Sequence, residues 1–368
     1  MAYHTQKIKT RILIISDTHS VKPKPENASD DPPSDDEYIV PANIHNDTTG
    51  FKDPLPTAEV ALHCGDLTTN GRTSEFRATF QMMRAIRAPL KLVIAGNHDR
   101  MLDDEFYNKH KRQDVRYNRP EMFRIIKDAE ADGVKYLTEG NYTFDLENGA
   151  RLTIYASPYT PVYGVWAFQY DEVHNFEIPR HVDVAMTHGP PKDIFDLCRD
   201  GTRAGCRQLL EVVRQARPRI HCFGHIHEGW GAMLAKWNDH SKQWDDVEEA
   251  TDGASSEVVL TLANQAGQVA DAKGQPLSKE KRDELNLQRG VVVDTTEGEY
   301  ALKTGQQTLF VNAAIMDRRY HPTQYPWIID IDLDRTPTPG HEADEGADIK
   351  VDAKVQKSGG GFSMPWLK

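Results

Sequence analysis

An α/β layered domain is the fold class predicted by this 368-residue chain, and two observations carry the prediction. Short β-branched and leucine-rich runs recur between turn residues, as buried strands do. In the first half amphipathic helical stretches separate those runs, whereas the second half is richer in strands. Strand–helix alternation of that kind builds layers of sheet and helix.

Taken in order, the first strand is expected at "RILIIS", 11–16; the run is too short for a signal-peptide core and leads straight into polar residues. Others follow at "EVALHC" 59–64, "LKLVIA" 90–95, "RLTIYA" 151–156, "HVDVAMT" 181–187, "RIHCF" 219–223, "TLFVNA" 308–313 and "WIIDID" 327–332. Phe76, Phe80, Met83 and Ile86 fall close to one face of a helix that Pro89 stops. Cys206, Leu209, Leu210 and Val213 are spaced i, i+3, i+4 and i+7 on a second helix, closed by Pro218.

Two stretches stand apart. Residues 21–58, with "VKPKPENASDDPPSDDEY", and 238–305, with "NDHSKQWDDVEEATDGASSE", are too polar by composition to bury much apolar surface. They are expected as surface insertions, partly disordered, and the tail 336–368 as flexible. Strands resume after the second insertion, so the chain reads as a single domain over 10–335.

Lys+Arg 44 against Asp+Glu 56 leave a net charge of -12, which argues against a long nucleic acid or an anionic membrane as partner. No apolar run reaches the ~18 residues of a membrane span. The four cysteines, Cys64, Cys198, Cys206 and Cys222, form no C-x-x-C pair, and Cys64 and Cys222 lie in strand-like runs as packing residues. A reducing, cytoplasmic compartment is the corresponding expectation.

The chemistry lies where the strands stop. After them come Asp17-Thr18-His19, Gly65-Asp66, Gly96-Asn97-His98-Asp99, His188-Gly189-Pro190-Pro191 and Gly224-His225-Ile226-His227. Ligands of α/β sheets gather at the carboxyl ends of strands. In D-x-H and H-x-H, residues i and i+2 of an extended chain face one side. Taken singly, each motif fits a turn or a loop residue equally well; their recurrence at five strand ends favours one shared site. Leaving His98 and Asp99 aside, two Asp, one Asn and four His form a mixed oxygen and nitrogen set, suited to manganese, iron or zinc rather than calcium.

The ordered set D-x-H, G-D, G-N-H-D, T-H-G-P-P, G-H-I-H resembles the calcineurin-like metallophosphoesterase superfamily. "ISDTHS", "GDLTTNG", "VIAGNHD", "HGPP" and "FGHIHEGWG" are similar to its metallophosphoesterase-domain-containing branch. The likeness covers roughly 10–235 and 308–332. It implies a four-layer αββα sandwich, two packed mixed β-sheets flanked by helices. It further implies Asp17, His19 and His227 on one divalent metal, Asn97, His188 and His225 on a second, and Asp66 bridging them. Manganese is the first expectation, with iron or zinc as alternatives. His98 would be the general acid or a phosphate contact, with Asp99 beside it orienting the ring. A metal-bridging hydroxide would attack a small phosphoester, a phosphodiester such as a cyclic nucleotide before a phosphomonoester. A metal-retaining scaffold of low activity is the reading from another class. Some members of the branch carry glycine where His225 stands, whereas this chain keeps both histidines of the H-x-H.

Other residues are set aside. His63 and His221 lie in strands, facing away from or beneath the site. The aromatic run "YTPVYGVWAFQY", 159–170, is read as a packed loop in preference to a pocket floor. Asn312 is read as a backbone hydrogen-bonding residue in preference to a substrate contact.

Overall fold

The structure, a computed structural model, describes residues 6–25, 50–110, 116–239, 250–263 and 268–337. All eight expected strands are present, and the alternation of their side chains explains the layers. The first sheet contains β1 (Lys7–Ile15), β2 (Val60–His63), β3 (Leu90–Val93) and β4 (Val134–Tyr136). The second is built around β5 (Gly140–Asp145) and β6 (Ala150–Ser157). After the two-residue strands β7 (Thr160–Pro161) and β8 (Gln169–Tyr170) it gains β9 (Val184–Thr187) and β10 (Ile220–Phe223). Then come β11 (Gly231–Lys236), β12 (Glu257–Leu262), β13 (Val269–Ala270), β14 (Val291–Asp294), β15 (Gln307–Asn312) and β16 (Trp327–Arg335).

The first sheet runs β14-β16-β1-β2-β3-β4 and the second β5-β6-β9-β10-β15-β11-β12-β13. They join into one 14-stranded ladder where the end of β16 pairs with β6, at Asp334↔Arg151 and Arg335↔Ala150. Both sheets are mixed: β1 is parallel to β2 and antiparallel to β16, and β10 is parallel to β9 and β15, whereas β11 is antiparallel to β15.

Three apolar clusters separate four layers. Ile12 and Ile14 of β1 meet Ile154, Val184, Ile220 and Val311 of the other sheet in the central core. The alternate residues Leu13 and Ile15 face outward onto Phe76, Phe80 and Met83 of helix α1 (Thr73–Ala85). On the opposite flank, Ala185, Phe223 and Phe310 pack on Leu209, Leu210 and Val213, one stripe of a helix (Arg207–Ala216) whose N-cap is Cys206. This is the expected αββα sandwich. Period-2 alternation of strands buried on both faces leaves it no other way to cover its apolar side chains.

The two polar stretches differ from their expectation. Residues 26–49 and 240–249 lie outside the described residues, but Phe51, Leu55 and Ala58 are core residues. Within 250–305 the chain adds β12, β13 and β14 and a helix (Lys279–Gln288) to the sandwich. Seven of its apolar residues, among them Leu260, Leu277, Leu285 and Val293, sit in the central core. Averaged composition conceals such sparse, well-spaced residues. The expected flexible tail lies outside the described residues after Pro337, beyond the compact unit that ends at Thr336.

Candidate metal centre

Each strand-end motif sits just past the last residue of its strand, where the ladder ends and the backbone turns. Asp17, His19, Asp66 and His225 adopt φ of 53°, 45°, 53° and 67°, the left-handed region that only small polar and imidazole residues visit with any frequency. Such strain, about 1–3 kcal/mol per residue, persists only where the surrounding fold dictates it. Neighbouring glycines make the approach possible. A Cβ on Gly224 would lie 1.9 Å from Asp17 Oδ2, and one on Gly96 would lie 2.3 Å from Asp66 Oδ1.

The ligand candidates gather into two groups, Asp17 with His19 and His227, and Asp66 with His188 and His225. Asp66 faces both: Oδ2 lies 3.7 Å from His19 Nε2 and Oδ1 lies 3.4 Å from His188 Nε2. Asn97 joins the second group, with Oδ1 2.9 Å from His188 Nε2. The structure therefore brings all seven expected ligands together in the expected partition.

Whether a cation fits is decided by the far side of each ring. Nδ1–H of His19 donates to the Thr68 carbonyl at 3.0 Å, that of His188 to Cys64 at 2.9 Å, and that of His227 to Asp317 at 3.0 Å. These bonds fix the tautomer and leave Nε2 as a bare lone pair in the neutral ring. Two such lone pairs, on His19 and His227, then face each other at 3.3 Å. His188 Nε2 likewise faces an amide oxygen. Acceptor opposed to acceptor in a buried site is an arrangement a cation resolves, so the donor set fits two divalent ions.

Protonation agrees. Burial, together with the neighbouring His98 and His227 charges, pushes the His19 imidazole well below its ordinary range, and burial pushes His225 down to about 3. Burial alone would raise the Asp17 carboxyl. The His227 bond and the charges of His188, His227 and His19 outweigh it and hold the group below the usual carboxylate range. Neutral His19 and His225 and an ionised Asp17 are ligand forms metals require. At His227 burial is outweighed by the bond to Asp17, which raises the imidazole, so a cation there competes with a proton.

His98 donates Nδ1–H to the Thr69 carbonyl at 2.7 Å, and its backbone N–H donates to Asp66 Oδ1 at 2.9 Å. Its ring lies 4.9 Å from that of His19, at the edge of the centre. The expected role of Asp99 is corrected. It does not orient the His98 ring, whose Nδ1 is held by Thr69. Asp99 is wholly buried, and its two oxygens accept from Leu67 N, Gly96 N, Thr68 N and the Thr68 hydroxyl. It ties the loop after β2 to the loop after β3 and so sets the position of Asp66 against Asn97. Burial and the adjacent Asp66 charge push it up to about 7, against the bonds donated by Gly96, Thr68 and Leu67.

Sequence reading missed several contributors. The carbonyls of Thr68, Thr69 and Asp317 carry no side-chain signal. Tyr320 stands over the first group, its ring 4.7 Å from His19 and 5.2 Å from His227. Burial and the Asp66 and Asp17 charges push its phenol up to about 12. The aromatic loop packs as expected and also reaches His98. Phe168 packs in the outer core, while the Trp166 ring lies 4.1 Å from that of His98 and carries the Arg100 guanidinium 4.3 Å from its centre. Asn312 holds the H-x-H turn by donating to the Ile226 carbonyl at 2.9 Å, the backbone role expected of it. Trp230 packs the same turn, stacked 4.7 Å from Trp327.

Several known proteins are similar to this chain. The chain is 34% identical over 222 residues to metallophosphoesterase domain-containing protein 1 of Homo sapiens, covering 58% of this chain and 67% of that protein. It is 34% identical over 198 residues to a probable rhamnogalacturonate lyase C of Emericella nidulans, covering 52% of this chain but only 18% of that protein. Among solved structures, a phosphopantetheinyl hydrolase from Mycobacterium tuberculosis aligns at TM-score 0.34 and 14% identity, over 62% of this chain and 85% of that one. Residues 10–229 match the family model of the calcineurin-like phosphoesterases, and the chain belongs to that family.

Proposed function

We propose that the protein hydrolyses small phosphodiesters, cyclic nucleotides among them, with two manganese ions in its paired sites. The observation that carries the reading is Asp66, which turns one carboxylate oxygen toward each group of histidines. Two divalent ions held there would lower the pKa of a water at neutral pH and draw off phosphoryl charge in the transition state.

The chain's own residues supply the rest. Nδ1–carbonyl bonds hold the ligand rings so that the site need not reorganise as charge develops. His98, anchored through Nδ1, carries a second proton on Nε2 when doubly protonated and can deliver it to the leaving oxygen. Trp166 flanks the site beside His98, and Tyr320 flanks it beside His19.

Support for a small ester comes from the surroundings. A pocket lined by Arg100, Met101, Phe106, Tyr107, Tyr117 and Val165 is linked to Trp166 through the Arg100 guanidinium, and it is the proposed seat of the ester's organic group. The net charge of -12 disfavours long nucleic acid. Among the described residues no helix is long and apolar enough to cross a membrane. The cytoplasm is the proposed compartment, where free thiols such as buried Cys64 and Cys222 stay reduced.

A substrate panel with Mn²⁺ tests the reading. An aryl phosphodiester should turn over faster than the matching monoester. Preference for the monoester would replace the diester reading with a phosphomonoesterase. No turnover of either would leave a metal-binding scaffold.

A further inference from the structure

Directly beneath the two metal groups lies a matched pair of buried contacts that no metal-ligand role accounts for. Thr18, between ligands Asp17 and His19, places Oγ1 2.8 Å from His63 Nε2. Thr187, just before ligand His188, places Oγ1 2.9 Å from His221 Nε2. In both cases the histidine comes from the next parallel strand, β2 beside β1 and β10 beside β9. In both, its strand neighbours (Leu62 and Cys64, Ile220 and Cys222) point into the central core, so the ring lies on the outer side of its sheet. All four residues are fully buried.

The polarity can be read for one pair. The Thr187 hydroxyl donates to the Gly189 carbonyl at 2.8 Å, so toward His221 it can only accept. His221 is therefore the donor through Nε2–H, and its Nδ1, without a partner among the described residues, is the bare nitrogen. Among the described residues His63 Nδ1 is likewise without a partner. A buried acceptor is tolerated more readily than a buried N–H, so the same tautomer follows for His63. A polar group is kept at full burial in each sheet, half unsatisfied, for one bond to a threonine that borders a ligand. An apolar residue would fill either position at lower cost unless that bond does something.

We propose that His63 and His221 are positioning residues, each seating the ligands of one metal through its threonine: His63 and Thr18 for the site of Asp17 and His19, His221 and Thr187 for the site of His188. The inference rests on the dinuclear reading and adds to it that the two sites are braced separately. Residues supporting metal ligands typically tune affinity by about 10- to 100-fold.

Calorimetric titration of the metal-stripped chain with Mn²⁺ tests this, with anomalous scattering from manganese in crystals identifying the depleted site. Thr18→Val and His63→Leu should weaken the ion at Asp17 and His19 by roughly 10- to 100-fold and spare the other. Thr187→Val and His221→Leu should do the reverse. His63→Gln, which keeps an N–H donor, should recover much of the lost affinity. The valine variants are close to isosteric, so a cooperative thermal transition will show them folded even where a leucine variant fails. Folded Thr18→Val and Thr187→Val chains that bind both ions as the wild type does would overturn the proposal. So would variants that each weaken both ions equally. A wild-type chain that takes up no Mn²⁺ would overturn the dinuclear reading itself, before any variant is compared.

Discussion

The seven candidate ligands depend on different neighbours, and substitutions of those neighbours should therefore fail differently. Gly224→Ala brings a methyl group to 1.9 Å from Asp17 Oδ2 and 2.2 Å from Ser16 Oγ, so the Asp17 carboxylate must move. It should cost the ion at that site and at least about a hundredfold in turnover, as a displaced reacting geometry does, read as metal content and kcat together. His98→Asn leaves every ligand in place. Its kcat should drop by about 10² to 10⁴ while metal content is unchanged. The loss should shrink for leaving alcohols that need no proton; a uniform loss across leaving groups would remove His98 from the acid role. Asp99→Asn turns one acceptor oxygen into a donor facing backbone N–H groups, and should cost about 1–3 kcal/mol of folding stability, measured by urea unfolding. The ligand types were legible in the sequence because each motif repeats a metal-capable side chain at a strand end. The role of Asp99 was not, since adjacency to His98 says nothing about where four backbone and hydroxyl donors converge.

Strand ends place the ligands, and the elements themselves followed from apolar runs of the right length. The eight expected strands and both expected helices are found within a few residues of their predicted bounds, because strands buried on both faces leave continuous apolar text. The elements of 250–305 escaped notice for the opposite reason. The helix Lys279–Gln288 buries a single residue, Leu285, and β14 alternates buried with exposed positions. Two leucines two residues apart, Leu285 buried and Leu287 exposed, give no helical periodicity to read. Leu285 is nonetheless part of the central core, so Leu285→Ala should destabilise the chain by about 2–4 kcal/mol, a shift visible in the urea midpoint. A value near zero would show that this segment is the detachable surface insertion its composition suggests.

For the whole molecule, burying neutral imidazoles links stability to pH. Burial pushes His63 and His221 down to about 3. In the unfolded chain each takes a proton as pH falls through about 6.5, whereas the folded rings stay neutral until about 3. Between those values the unfolded state binds more protons, so stability rises with pH and is lost on acidification. The metal-free chain should lose on the order of 1 kcal/mol per pH unit for each ring below about pH 6, and His221→Gln should flatten that slope in urea unfolding. Bound ions should stabilise the fold in turn, by about 2.7 kcal/mol at a hundred times their Kd.

The most direct measurement of the central claim is metal content followed beside phosphoester turnover, as a chelator strips the purified chain and Mn²⁺ restores it. The two buried ligand groups, joined by Asp66, predict two ions per chain. Turnover should be lost as they leave and return only as both sites refill. Full turnover from a chain holding less than one ion would contradict the account.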